Sequence, residues 1–214
     1  MVKKLFSLVF LMIFLTPLTV LANEKNIIII ETRTRLLYLF REDKLVKKYP
    51  VALGDLKTPT PIGCFKIIFM RKNWGSGFGS RFLGLNVPWG MYGIHGTNKP
   101  GSIGSYASHG CIRMLNRHVE ELYEKVNLQD QVIILGNPFT YQETPWRTLV
   151  VGSKGSDVLI LQELLKLKGY YSGPIDGIFG RKMEKAVVQF RADHGLPSDN
   201  RINMEMYKLL RIYD

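Results

Sequence analysis

Cysteine is scarce in this chain: two residues in 214, Cys64 and Cys111, alongside four histidines. Two cysteines allow at most one disulfide. They also make zinc a poor reading. His95, His109 and Cys111 are legal ligands, but His-Gly-Cys is not a usual zinc spacing, and no second Cys or carboxylate stands nearby. No metal and no cofactor is expected. Acidic residues are the second shortage, with 18 Asp and Glu against 29 Lys and Arg, a formal charge of +11. Such a chain is drawn to polyanions: nucleic acid, acidic membrane or an anionic cell wall. No basic cluster is interleaved with aromatics in the manner of a nucleic-acid surface, so nucleic acid is not an expected partner.

With 46% apolar and 22% charged residues, the 214-residue chain has room for one mid-sized domain and a small one. It opens with Lys3-Lys4, an apolar run from Leu5, and small residues at Val20 and Ala22. That is the pattern of a secretory signal cleaved after Ala22. The run approaches the ~20 residues of a membrane helix, so an uncleaved anchor is the competing reading. Thr16-Pro17 interrupts it. Residues 1–22 are read as the signal segment, membrane contact is expected only through it, and the remainder is placed outside the cytoplasm.

From there to residue 137 the pattern is mostly β. Ile27 to Ile30 and Arg35 to Phe40 are apolar runs, Glu42-Asp43 marks a turn, and Lys44 to Leu53 alternates as a hairpin partner. Thr58-Pro-Thr-Pro-Ile-Gly63 cannot be an interior strand, because each proline removes a ladder donor; it is expected on the surface. Cys64 to Met70 reads as a strand with Cys64 buried. Arg71 to Ser80, with Trp74, Phe78 and three glycines, reads either as a lid over a cleft or as a hairpin loop whose aromatics tuck onto the core. Arg81 to Val87 and Tyr92 to His95 follow as strands. Helical spacing occurs once, at Val119, Leu122, Tyr123 and Val126, with Asn116 as its cap. Gln131 to Leu135 closes the unit as a strand. One helix among about seven strands implies a β-rich sandwich or barrel.

The stretch His95 to Arg113, HGTNKPGSIGSYASHGCIR, concentrates the chemistry. A thiol reacts as its thiolate and needs a base or a positive field to ionise it. Histidine is the usual base, and a Cys with separated His residues is the mark of a thiol nucleophile. Cys111 is therefore the expected nucleophile and His95 its base. Gly110 lets the backbone turn, so amides near His109, Gly110 and Cys111 can converge on an oxyanion. With period two, His95 faces away from Ile94, and an extended chain puts Arg113 on the face of Cys111. There it favours the thiolate and offers a fork to a substrate carboxylate. His109 either assists the thiolate, binds substrate or braces the loop. The competing structural reading is a Cys64–Cys111 disulfide, which would abolish the nucleophile.

His95-Gly96-Thr97 followed by Ser108-His109-Gly110-Cys111-Ile112-Arg113 resembles the signature of the L,D-transpeptidase catalytic domain, a family of cysteine enzymes that cross-link peptidoglycan. Thr58 to Gly63 and Gly84-Leu-Asn86 resemble the strands before that signature. The resemblance covers roughly residues 26–136. It implies a β-sandwich with the signature loop over a cleft, His95 oriented through the Gly96 carbonyl, and Ser108, His109 and Gly110 supporting the nucleophile.

Residues 138–148 lack periodicity and read as a linker, dividing a catalytic domain at 23–137 from a second unit at 149–214. The second unit shows three helical stripes. Ser156-Asp157 caps the first, with Val158, Leu161, Leu164 and Leu165. Met183, Ala186, Val187 and Phe190 form the second, and Asn203 caps a third with Met206, Tyr207 and Leu210. Gly155-Ser-Asp157, Leu161-Gln162, Ile175-Asp-Gly-Ile-Phe-Gly180 and Ala186-Val187 resemble a peptidoglycan-binding module, a small three-helix domain. Met183-Glu184 and Arg191 depart from its common pattern. Tyr170, Tyr171, Asp176 and Phe179 are its candidate ligand contacts, and His194 reads as a helix-end residue. The expected activity is transpeptidation of stem peptides through a thioester. The alternatives are carboxypeptidase-type trimming by the same thiol, or a wall-binding protein without catalysis.

Overall fold

A computed structural model of the chain describes residues 25–213. The signal segment read at residues 1–22 lies outside the described residues. Apolar residues alternate along Asn26–Glu31 (β1), so Ile28 and Ile30 are fully buried and their neighbours are not. Leu36–Arg41 (β2) and Lys44–Pro50 (β3) extend β1 as an antiparallel meander. Glu42 and Asp43 both take positive φ at the β2–β3 turn, the geometry whose twist matches a hairpin. Lys44, Lys47 and Lys48 line exposed β3, an edge strand whose charges discourage pairing with another chain.

The remaining strands are Leu53–Gly54 (β4), Gly63–Lys72 (β5), Arg81–Leu85 (β6), Tyr92–His95 (β7), Tyr106–Ser108 (β8), Ile112–Arg113 (β9) and Gln131–Leu135 (β10). The β-rich N-terminal unit is built on one eight-stranded mixed sheet, ordered β3-β2-β1-β10-β5-β6-β7-β9, with β4 and β8 as a two-stranded parallel pair. The sheet curls round one core that draws on Ile28, Leu39, Phe65, Leu83, Ile94, Ile112 and Val132. The helix Asn116–Tyr123 (α1) lies against β6 and β7 and buries Val119 and Leu122 in the same core.

Asn116 does not cap α1. Leu115 is the N-cap and makes no side-chain cap bond, while Asn116 is the first helical residue and reaches across to two loops. Cys64 is also not buried. It faces out of β5 and is exposed, because the strand's period-two pattern turns Phe65 and Ile67 inward.

A second core is formed by the C-terminal unit, whose helices are Ser156–Leu167 (α2), Arg181–Asp193 (α3) and Met204–Leu209 (α4). Asn203 caps α4 as expected, its side chain accepting the Met206 N–H. Ser156 and Asp157 do not cap α2, which starts from Gly155 without a side-chain cap. Ser156 Oγ instead accepts the Ile62 N–H at 2.8 Å, and Asp157 pairs with Arg147 at 2.7 Å. Residues 138–148 are not bare connection. Phe139 and Trp146 stack at 4.8 Å and pack into the second core, while the Tyr141 hydroxyl reaches the Gly54 carbonyl of the first unit.

Candidate active site

Parallel pairing of β7 and β9 brings the predicted residues together. Ile94 lies opposite Ile112 and both are fully buried, so the next pair, His95 and Arg113, projects to the other side of the sheet. Cys111 enters β9 one residue before Ile112. The arrangement is held by Met114 N–H on the His95 carbonyl and by mutual bonds between Ala52 and Arg113, all 2.8 Å. Cys111 and Cys64 are both free thiols, so the Cys64–Cys111 disulfide does not form.

The loop before the sulfur is braced internally. Buried Ser108 donates its hydroxyl proton to the Cys111 carbonyl at 2.5 Å and accepts the Gly110 N–H at 3.1 Å. Gly110 sits at φ +103, and a Cβ there would come 2.7 Å from the Tyr92 ring. Both facts demand glycine at 110. One of the three amides expected at an oxyanion site, that of Gly110, is thus engaged by Ser108. The His109 and Cys111 amides are the remaining candidates. His109 itself is exposed and lies near Asp55, whose carboxyl is held below its usual range mainly by the Thr58 amide and hydroxyl, with a smaller contribution from His109.

His95 is only 3% exposed. Its Nδ1 lies 2.5 Å from the Gly96 carbonyl, which can only accept, so Nδ1 carries the proton and Nε2 is the basic nitrogen. Phe82 stacks parallel to the imidazole at 5.8 Å and Phe78 meets it edge-on at 5.0 Å. Trp74 completes the cluster against Phe69 and Phe82. The loop aromatics therefore tuck onto the sheet, and in doing so they roof the histidine. Burial brings its pKa from 6.5 down to about 4, with the nearby Arg113 charge adding to the effect and the Gly96 and Phe78 carbonyls opposing it.

The Cys111 thiol is pushed up from its ordinary value of 9.0, again chiefly by burial. The Gly93 amide and the Arg113 charge oppose that rise. The physical consequence is a neutral thiol beside a neutral imidazole near pH 7, rather than a resting ion pair.

Two residues of this site escaped the sequence reading. Asn116 Oδ1 accepts the Thr97 N–H at 3.0 Å and the Ser80 N–H at 3.3 Å, tying the aromatic loop to the end of β7. A Cβ on Gly79 or Gly96 would lie 2.2 or 2.1 Å from that oxygen, so both must be glycine. Only the Gly79 and Gly96 pair could have hinted at the contact. Tyr92 is the other. Its ring packs on Gly110, and its hydroxyl is close enough to Cys111 for a thiolate to disfavour its ionisation, an effect smaller than burial.

Beside the signature loop a cleft of about 460 Å³ separates the two units, and His109 and Tyr92 stand at its edge. In the C-terminal unit, Tyr171 and Phe179 prove to be buried core residues. Asp176 is bound by Gln162, whose side chain also holds the Gly177 N–H and the Ile178 carbonyl. His194 closes α3, with Nδ1 2.8 Å from the Phe190 carbonyl.

The family model of the L,D-transpeptidase catalytic domain, YkuD, matches residues 25–134, just over half of the chain. A peptidoglycan-binding-domain family matches residues 154–210. The chain belongs to the L,D-transpeptidase catalytic-domain family. YkuD of Bacillus licheniformis is 51% identical over 88 residues, which are 41% of this chain and 52% of that protein. YkuD of Bacillus subtilis is 48% identical over 86 residues, 40% of this chain and 51% of its own. YqjB of Bacillus subtilis is 30% identical over 131 residues, covering 54% of this chain and 74% of its own. The chain thus spans about half the length of the two YkuD proteins. A solved L,D-transpeptidase from Mycobacterium smegmatis aligns over 53% of this chain and 59% of its own at 20% identity, with a TM-score of 0.46, a likeness too loose to carry residue correspondences.

Proposed function

We propose that the chain is a peptidoglycan L,D-transpeptidase that works through a thioester on Cys111, outside the cytoplasm, with the C-terminal unit engaging the wall. The observation that carries this reading is the register of β7 against β9. It sets His95 beside Arg113, with Cys111 adjoining, on the face opposite the core.

The Cys111 thiol proton passes to His95 Nε2 as the sulfur attacks a stem-peptide carbonyl. The carbonyl oxygen becomes an oxyanion that the His109 and Cys111 amides are placed to receive. Collapse of that intermediate breaks the peptide bond. His95 Nε2 returns its proton to the departing nitrogen, so the terminal D-residue leaves with a neutral amine and the acyl group stays on sulfur. An amine from a neighbouring stem then attacks the thioester and loses its proton to His95. The sulfur leaves and regains a proton from the same ring. The Gly96 carbonyl keeps the tautomer fixed throughout, and Arg113 favours the sulfur anion while offering a fork to a stem carboxylate.

The test is incubation of the chain with disaccharide-tetrapeptides, followed by mass spectrometry. Linked dimers lacking one terminal D-residue are expected. Shortened monomers alone would mean that water, not an amine, is the acceptor, and unaltered substrate would remove the reading.

A further inference from the structure

We propose that the cleft between the two units binds the sugar-proximal part of a peptidoglycan stem, so that the C-terminal unit forms one wall of the substrate groove. This rests on the reading of Cys111 as a peptidoglycan-processing nucleophile.

The two units are joined by contacts that fix the cleft's width. Ile62 N–H bonds Ser156 Oγ at 2.8 Å, and in the connecting segment Glu143 N–H bonds the Leu56 carbonyl at 2.6 Å. Trp89 of the catalytic domain lies so close to Gly177 that a Cβ there would meet its ring at 2.5 Å. Gly177 stands at φ +65 in a turn that Gln162 holds, so the glycine serves both the turn and the docking. A fixed cleft of about 460 Å³ falls within the usual size of a small-ligand site.

Its position and chemistry define the occupant. One end reaches Tyr92, whose ring packs on Gly110, and His109, so the cleft opens beside the loop that carries Cys111. The bond cut at Cys111 is at the far end of the stem from the sugar. A stem held at the sulfur must lead its sugar-proximal end away along the surface, and the cleft that opens beside the Cys111 loop offers it a course. Most charges in the lining cancel: Arg147 pairs with Asp157 at 2.7 Å and Lys57 with Glu143 at 3.8 Å. Lys154 has no ion-pair partner among the described residues. What remains is one ammonium among hydroxyls and aromatic rings. That suits a ligand carrying hydroxyls, amides and one carboxylate, which is the composition of a sugar joined to the first residues of a stem.

The experiment uses the full chain with Cys111→Ser, which binds without turnover, and isothermal titration with two ligands: a disaccharide-tetrapeptide and the same tetrapeptide without sugar. The sugar-bearing ligand is expected to bind at least tenfold tighter, and Lys154→Glu and Lys154→Gln should each weaken both ligands severalfold, because the stem carboxylate that Lys154 meets is common to them. Lys168→Glu, the same charge change beyond the C-terminal end of α2, should leave both affinities intact. Equal affinity for the two ligands, or affinities that neither Lys154 variant changes, overturns the proposal. Failure of the transpeptidase reading shows separately, as absence of any acyl adduct on unsubstituted Cys111.

Discussion

Burial of His95 ties stability to pH in a way that can be worked out from the site. The imidazole is 3% exposed, and its pKa falls from 6.5 to about 4 on folding. The unfolded chain therefore takes up a proton on this ring between those values, and the folded chain does not. Stability from the neutral ring is fully present above pH 6.5 and is lost as pH falls toward 4. At 1.36 kcal/mol per pH unit, the loss reaches about 3 kcal/mol by pH 4. Urea unfolding of the chain and of His95→Gln at pH 7, 6, 5 and 4 isolates this contribution, since other titrating groups are common to both. The difference in unfolding free energy between the two proteins should shrink by about 3 kcal/mol across the series. Parallel curves would show that the ring protonates freely in the folded chain. The roof of Phe78 and Phe82, and the neutral resting pair it implies, would then be wrong.

Three further outcomes follow from the site. Asn116→Ala strands the Thr97 and Ser80 N–H groups, so stability should drop by about 2 kcal/mol and β-lactam acylation of Cys111 should slow about 10²-fold. Asn116→Asp, which keeps the acceptor oxygen, should restore most of the rate in stopped-flow fluorescence. Arg113→Gln removes a cation that lowers both the Cys111 thiol and the His95 imidazole. Both limbs of the acylation pH profile should therefore move to higher pH together, and movement of one limb alone would contradict the shared field. Arg147→Met leaves Asp157, 2% exposed, without its partner. Because Arg147 is itself partly exposed, the low end of the usual buried-pair cost applies, about 3 kcal/mol, read as earlier melting of the C-terminal helices by circular dichroism.

That the candidate site residues cluster was legible because their relations are short in sequence or set by strand period. Cys111, Gly110, Ser108 and Arg113 lie within six residues, and the period-two rule alone turned His95 away from Ile94. The same rule fails for Cys64 only in phase: its strand alternates as expected, but which face is inward depends on β10 and β6 pairing beside it. Asn116 was misread for a related reason. At a helix start it has the side chain of a cap, and nothing local reveals that its oxygen is claimed by loops 19 and 36 residues away in sequence. Phe139 and Trp146 hid in a segment with prolines and no period, because their partners, such as Tyr207, come from the far end of the chain. The expected β-rich domain is present, its strands curled round one core, with the parallel pairing of β1 and β10 joining the two ends of the unit. No periodicity in either strand announces that partner.

The central claim is that the sulfur at position 111, and not the exposed one at 64, accepts an acyl group. Incubating the full chain with a carbapenem and locating the adduct by peptide mass spectrometry tests it most directly. One adduct is expected, on Cys111, which survives Cys64→Ala and disappears in Cys111→Ala. An adduct on Cys64, or a folded chain that takes none, would contradict it.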